Sequence, residues 1–145
     1  MTHDLQLEIR TEPRLLAAVR ELVREWTTSF DLSEEQEHGV VLAIDEACSN
    51  AIRHAYEGRG DCYATLTMRS TDDYLEFQIE DSGTPCCPEK VKKKQLERPD
   101  PEDVKPGGLG IQLIHRVFDE VVFTPGEQLG NTVTMRLNRP QRKVS

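Results

Sequence analysis

Residues 63–83 read YATLTMRSTDDYLEFQIEDSG, and the fold class turns on this stretch. Tyr63, Thr65 and Thr67, then Leu75, Phe77 and Ile79, recur at alternate positions, the period of a half-buried strand. The polar residues 70–73 between them predict a hairpin. Two strands in direct succession break the strict strand–helix alternation that a doubly wound parallel sheet requires. Upstream, Ser33 and Gln36 form a capping-box pattern that opens a helix running to about Tyr56, with Gly58 and Gly60 as its stop. Before it, Pro13 opens another helix with Thr11 as its expected cap. Leu15, Val19, Leu22, Val23, Trp26 and Phe30 give that helix one buried stripe. Leu5, Leu7 and Ile9 alternate as a first strand.

Downstream, Leu109, Ile111, Leu113, Ile114 and Val117 predict a third helix, and residues 121–124 and 132–137 predict two strands around a turn at 126–130. The order β, α, α, β, β, loop, α, β, β predicts an α/β fold. It is a two-layer sandwich in which a mixed, mostly antiparallel sheet is covered on one face by about three helices. The 145 residues fit one domain, 1–145, with a polar, basic tail at 138–145 expected to fray. Between the second and third helices, residues 84–107 hold five prolines and the lysine run 92–94, and read as a flexible lid.

Acidic residues number 26 and basic ones 18, a formal net charge of −8. That sign disfavours non-specific nucleic-acid or anionic-membrane binding, which draw on a positive field. No run approaches the ~20 apolar residues of a membrane span, and MTHDLQLEIR carries no signal core. The expectation is a cytoplasmic protein with reduced thiols at Cys48, Cys62, Cys86 and Cys87.

Three clusters could carry chemistry. On the second helix, Glu46 and Asn50 stand one turn apart on a polar face shared with Arg53 and Glu57. A carboxylate and a carboxamide so placed offer two hard oxygens, suited to Mg²⁺ with its waters or to a hydroxyl. Asparagine is a poor residue for mid-helix, so Asn50 asks for a reason. The second cluster, Glu80-Asp81-Ser82-Gly83, follows a strand directly. It reads either as a common Asp-x-Gly turn or as a carboxylate at a pocket mouth, able to accept from an exocyclic amine. The third, Lys105-Pro106-Gly107-Gly108-Leu109-Gly110, opens the third helix. Glycines there would expose backbone N–H groups beside the positive dipole end, a natural phosphate seat, or else supply a hinge. It is neither a Walker A loop nor a complete dinucleotide fingerprint.

The order of these clusters resembles one family. Glu46-Ala47-Cys48-Ser49-Asn50-Ala51 followed by His54-Ala55-Tyr56 resembles the N box of the Bergerat (GHKL) ATPases. Asp81-Ser82-Gly83 resembles their G1 box and Gly108-Leu109-Gly110 their G2 box; Gly130-Asn131-Thr132-Val133-Thr134 resembles the last shared strand. EACSNAIRHAY and GGLGIQLI most resemble the anti-sigma factor serine/threonine kinases, the switch-protein kinases. The likeness covers about 5–137.

The resemblance implies a Bergerat-type sandwich that binds ATP and Mg²⁺. It implies that Asn50 coordinates Mg²⁺ and that Glu46 is the catalytic base. It also implies that Asp81 accepts from the adenine amine with support from Thr132 or Thr134, and that Gly83, Gly108, Leu109 and Gly110 bring backbone close to the nucleotide. Arg53, His54 and Lys105 join the nucleotide-binding set. The implied function is phosphorylation of an anti-anti-sigma (STAS-domain) protein, with sequestration of a sigma factor by partner switching, in a family where homodimers are common. The alternative is a non-catalytic ATP-binding module of the same fold. Two departures stand out: Cys86-Cys87 and Pro106 replace residues usual beside the G1 and G2 boxes.

Overall fold

The alternating segments pair into one five-stranded sheet in the computed structural model, which describes residues 2–52, 63–81, 106–125 and 131–139. The strands are β1 (Leu5–Arg10), β2 (Tyr63–Ser70), β3 (Tyr74–Asp81), β4 (Glu120–Pro125) and β5 (Asn131–Asn138), in the spatial order β1-β2-β3-β5-β4. Every neighbouring pair is antiparallel, so the mixed component expected from the sequence is absent among the described strands. The reason lies in the connections. The short polar link between β2 and β3 reverses the chain directly. The two helices between β1 and β2 pack against each other, which lets β2 return against β1.

The helices are α1 (Leu16–Thr28), α2 (Glu34–Asn50) and α3 (Pro106–Val117), with a 3-10 turn at Pro13–Leu15 leading into α1. The capping box is formed: Ser33 Oγ accepts from the Gln36 N–H, and Gln36 Oε1 accepts from the Ser33 N–H, both at 3.1 Å. Three acidic residues in the first turn, Glu34, Glu35 and Glu37, complement the helix dipole. Thr11 is not a cap. It is fully buried, and Glu12 occupies the capping position of the 3-10 turn. Residues 51–52 prolong α2 as a wider π turn, and the expected continuation to Tyr56 lies outside the described residues. So does most of the expected lid, but Pro106 and Gly107 already belong to α3. Of the expected tail 138–145, residues 140–145 lie outside the described residues. Asn138 ends β5, and Arg139 donates its N–H to the Asp73 carbonyl and Nη1 to the Thr71 carbonyl while lying over the Phe30 ring.

The helices cover one face of the sheet. Leu66 and Met68 of β2, Leu75, Phe77 and Ile79 of β3, and Met135 and Leu137 of β5 are buried there against Val19 and Val23 of α1, Val40 and Ile44 of α2 and Ile114 of α3. Burial of each such side chain contributes about 1.5–3 kcal/mol. The opposite face is open and mostly polar, and a carboxylate is buried on it. Glu76, only 3% exposed, binds Arg69 of β2 on one carboxylate oxygen and Arg136 Nε of β5 on the other at 2.8 Å. The guanidinium of Arg136 also stacks on Tyr74, so this charged cluster ties three strands together.

Cys48 faces the core beside Ile9, Ala64, Leu66 and Ile79. Burial, reinforced by the nearby Asp45 carboxylate, pushes its thiol from 9.0 up to about 12. The unfolded chain therefore releases this proton first. The buried neutral thiol contributes stability that is intact below pH 9 and is lost as pH rises towards 12. The difference in urea midpoint between wild type and Cys48→Ala should shrink steadily from pH 8 to pH 11. A constant difference would show that the thiol ionises as readily in the fold as outside it.

Candidate functional site

On β3 the helix-facing positions are Leu75, Phe77, Ile79 and, two residues on, Asp81. The apolar run ends one step before the strand does, so Asp81 puts a carboxylate at the rim of the apolar layer. On β5 the register pairs Ile79 with Val133 and Phe77 with Met135, which makes Asn131 the next helix-facing residue. Asn131 grips Asp81 at both oxygens. Its backbone N–H donates to Oδ1 at 2.9 Å and its side-chain Nδ2 donates to Oδ2 at 3.3 Å. The half-buried carboxylate is thereby fixed in direction by the adjacent strand.

Thr132 and Thr134 are elsewhere. Thr132 pairs with Glu80 and Thr134 with Gln78, and Thr134 shares the open face with Glu120, Val122 and Arg136. The expectation that either threonine supports the base beside Asp81 is corrected by strand parity: both stand on the face away from the helices. Asn131 is the residue the sequence reasoning missed. The signal for it was available, because counting back by twos from Met135 reaches 131 and skips both threonines.

Glu46 and Asn50 are half-buried on α2, and Glu46 Oε2 is shielded from solvent. At 100° per residue, Gly39, Glu46 and Asn50 fall on one stripe of the helix. Gly39 marks where that stripe points: a Cβ placed there would lie 3.3 Å from Val117 Cγ2 of α3. The missing side chain thus lets α3 approach α2 closely. Val117 closes α3 on Gly39 near the start of α2, and the two helices pack along their length. This carries the Pro106 end of α3, with Gly107, Gly108 and Gly110 in its first turns, towards the Asn50 end of α2. On the far side of α2, Arg20 of α1 binds Asp45 Oδ1 at 3.0 Å and pins the helix one residue before Glu46.

The structure therefore places Glu46 and Asn50 on α2, the start of α3, and Asp81 at the rim of β3, all on the helix side of the sheet. Arg53, His54, Gly83 and Lys105 lie outside the described residues, as does the Leu109 side chain. The donor chemistry fits a purine nucleotide with a hard cation. It comprises an acceptor carboxylate for an exocyclic amine, a helix N-terminus for phosphate, and paired oxygens for a cation that keeps water and phosphate ligands. Among the described residues no group of three histidine, cysteine or acidic side chains forms a closed metal cage. A cation shared with phosphates needs no such cage.

The fold defines a class, the two-layer sandwich in which helices cover one face of an antiparallel sheet. Residues 9–137 match the histidine kinase-like ATPase domain family, and the chain belongs to that family of ATP-using domains. The chain is 28% identical to the serine-protein kinase RsbW of Listeria innocua over 145 residues, 96% of this chain and 91% of that protein. It is 26% identical to RsbW of Bacillus pumilus over 149 residues, 93% of this chain and 86% of that one. Among solved structures, it is similar to the RsbU and RsbW domains of Rv1364c from Mycobacterium tuberculosis. The TM-score is 0.61 at 19% identity, over 98% of this chain and 34% of that longer one. The SiaB-SiaC complex of Pseudomonas aeruginosa matches at TM-score 0.64 and 15% identity, over 92% of this chain and 88% of that one.

The Asp81–Asn131 contact has a local signature. Replacing Asp81 with alanine removes the acceptor of the Asn131 N–H, a bond to a charged group of about 1.5–3 kcal/mol. Amide exchange at Asn131, followed by NMR, should accelerate by roughly tenfold or more in Asp81→Ala. Unchanged exchange would mean that the strand, and not the carboxylate, protects that amide.

Proposed function

We propose that this chain is an ATP-dependent serine/threonine protein kinase that phosphorylates an anti-anti-sigma (STAS-domain) protein and acts as an anti-sigma factor by partner switching in the bacterial cytoplasm. The observation that carries this reading is the placement of Glu46 and Asn50 on α2 and of Asp81 at the end of β3, all on the helix side of the sheet, in a chain similar over nearly its whole length to serine-protein kinases. Further support comes from the net charge of −8, which suits partners bearing basic patches. Among the described residues no helix is long and apolar enough to cross a membrane. The sigma factor is the partner held when the antagonist is absent.

Each residue has a role. Asp81 accepts a hydrogen bond from the adenine amine and sets the depth of the nucleotide. The N-terminus of α3 faces the phosphates with backbone N–H groups. Asn50 would hold Mg²⁺, which when bound would neutralise phosphate charge. Glu46, one turn earlier on the same stripe, accepts the proton of the attacking serine or threonine hydroxyl. The new bond joins that oxygen to the γ-phosphorus, and ADP departs with the former bridging oxygen. Phosphoryl transfer of this kind depends mainly on positioning and charge, so few protein groups are needed.

Two sets of variants test the assignments. By calorimetry, Asp81→Asn should weaken ATP and ADP alike, because it alters contact with the base they share. Asn50→Ala should instead lower the Mg²⁺ dependence of ATP binding. Glu46→Gln should bind ATP and the STAS protein nearly as wild type does, while phosphate transfer falls by roughly 10²–10⁴-fold, the usual cost of losing a general base. Equal transfer rates would remove Glu46 from the mechanism. A wild type that binds both partners and transfers nothing would make the chain a non-catalytic ATP-binding module.

A further inference from the structure

We infer that Asn131 is a specificity-determining residue: by holding both oxygens of Asp81 from β5, it keeps that carboxylate an acceptor and thereby selects a 6-amino purine over a 6-keto purine. The inference rests on the proposal that Asp81 meets the adenine ring, and it deepens that proposal. Its basis is the geometry of two bonds from one residue. The Asn131 backbone N–H meets Oδ1 at 2.9 Å, and Nδ2 of the same side chain meets Oδ2 at 3.3 Å. Both groups are donors only, so the face that Asn131 presents to Asp81 matches an ionised carboxylate, which only accepts.

The chemistry of the base follows. Adenine offers an amine donor at position 6, which such a carboxylate receives. Hypoxanthine offers a carbonyl there, which sets two acceptors against each other. A protonated carboxyl would remove that conflict, because its O–H could donate to the carbonyl. The two groups of Asn131 that meet the acid are both donors and suit the conflicting, ionised form. The backbone bond is available to any residue at 131, but the second bond depends on the amide side chain. An aspartate in its place would reverse the effect, since two carboxylates in contact favour sharing one proton.

The test measures binding of ATP and of inosine triphosphate by calorimetry at pH 6 and pH 8. It compares wild type, Asn131→Ala, Asn131→Asp and Asp81→Asn. Wild type should prefer ATP at both pH values. In Asn131→Ala the preference should fall on the order of tenfold, matching the loss of one bond to a charged group. In Asn131→Asp it should become dependent on pH, weaker at pH 6 than at pH 8, as the carboxylate pair takes up a proton. The two variants act by different chemistry, so the pH dependence still decides the matter if the alanine variant does not fold. A wild-type ATP preference in both variants, lost only in Asp81→Asn, overturns the inference and leaves Asp81 as the base contact. A preference that survives Asp81→Asn as well overturns both, because the carboxylate then does not read the base. A merely structural role for Asn131 would weaken the two nucleotides equally and would also overturn it.

Discussion

Phe77 is fully buried at the middle of the sheet, in edge-to-face contact with Trp26 of α1 and tilted against Phe118 just beyond α3. These ring contacts commit one face of β3 to the helices, and the period of two then assigns every other residue of the strand. Leu75, Phe77 and Ile79 enter the core, Asp81 emerges on the same side at its rim, and Glu76, Gln78 and Glu80 face outward. The register of β5 inherits the assignment, because each of its side chains pairs with one on β3. A slip of one residue would bury Gln78 and Glu80 and carry Asp81 away from α2. Position in the site is thus a consequence of core packing.

The open face shows what happens where no helix covers the sheet. Glu76 sits there almost without exposure, sheltered by the arginines it binds from β2 and β5. Removal of either arginine would leave a poorly solvated charge, so this cluster holds the three central strands at the correct spacing. Tyr74 under Arg136, and Arg139 over Phe30, extend the same device to the end of the sheet remote from Asp81. One end is pinned by cations on aromatic rings. The other carries the carboxylate and its asparagine partner.

Much of this was legible in the sequence. The alternating runs gave five strands in the right order, and the Ser33–Gln36 box gave the start of α2 to the residue. Glu46 and Asn50 were visible as a pair because helical spacing is a short-range property. Three things were not legible. The all-antiparallel pairing depends on contacts between distant segments. Thr11 looks like a cap by residue type, but tertiary packing buries it one position early. The partner of Asp81 depends on the parity of β5, and two threonines drew attention away from the asparagine between them and the turn. Spacing tells which residues share an element; only pairing across the sheet tells which share a site.

The central claim is the proposal that the nucleotide lies on the helix side of the sheet, its base met by Asp81, which Asn131 holds. Methyl and amide NMR during a titration with Mg-ATP tests it most directly, because Val133 and the two threonines alternate across β5 with methyl groups on opposite faces. Shifts should develop at the Val133 methyls, the Asn131 amide and the Asn50 side chain, while the methyls of Thr132 and Thr134 stay in place. Movement of the threonine methyls with Val133 unmoved would put the nucleotide on the open face and contradict the assignment of the site.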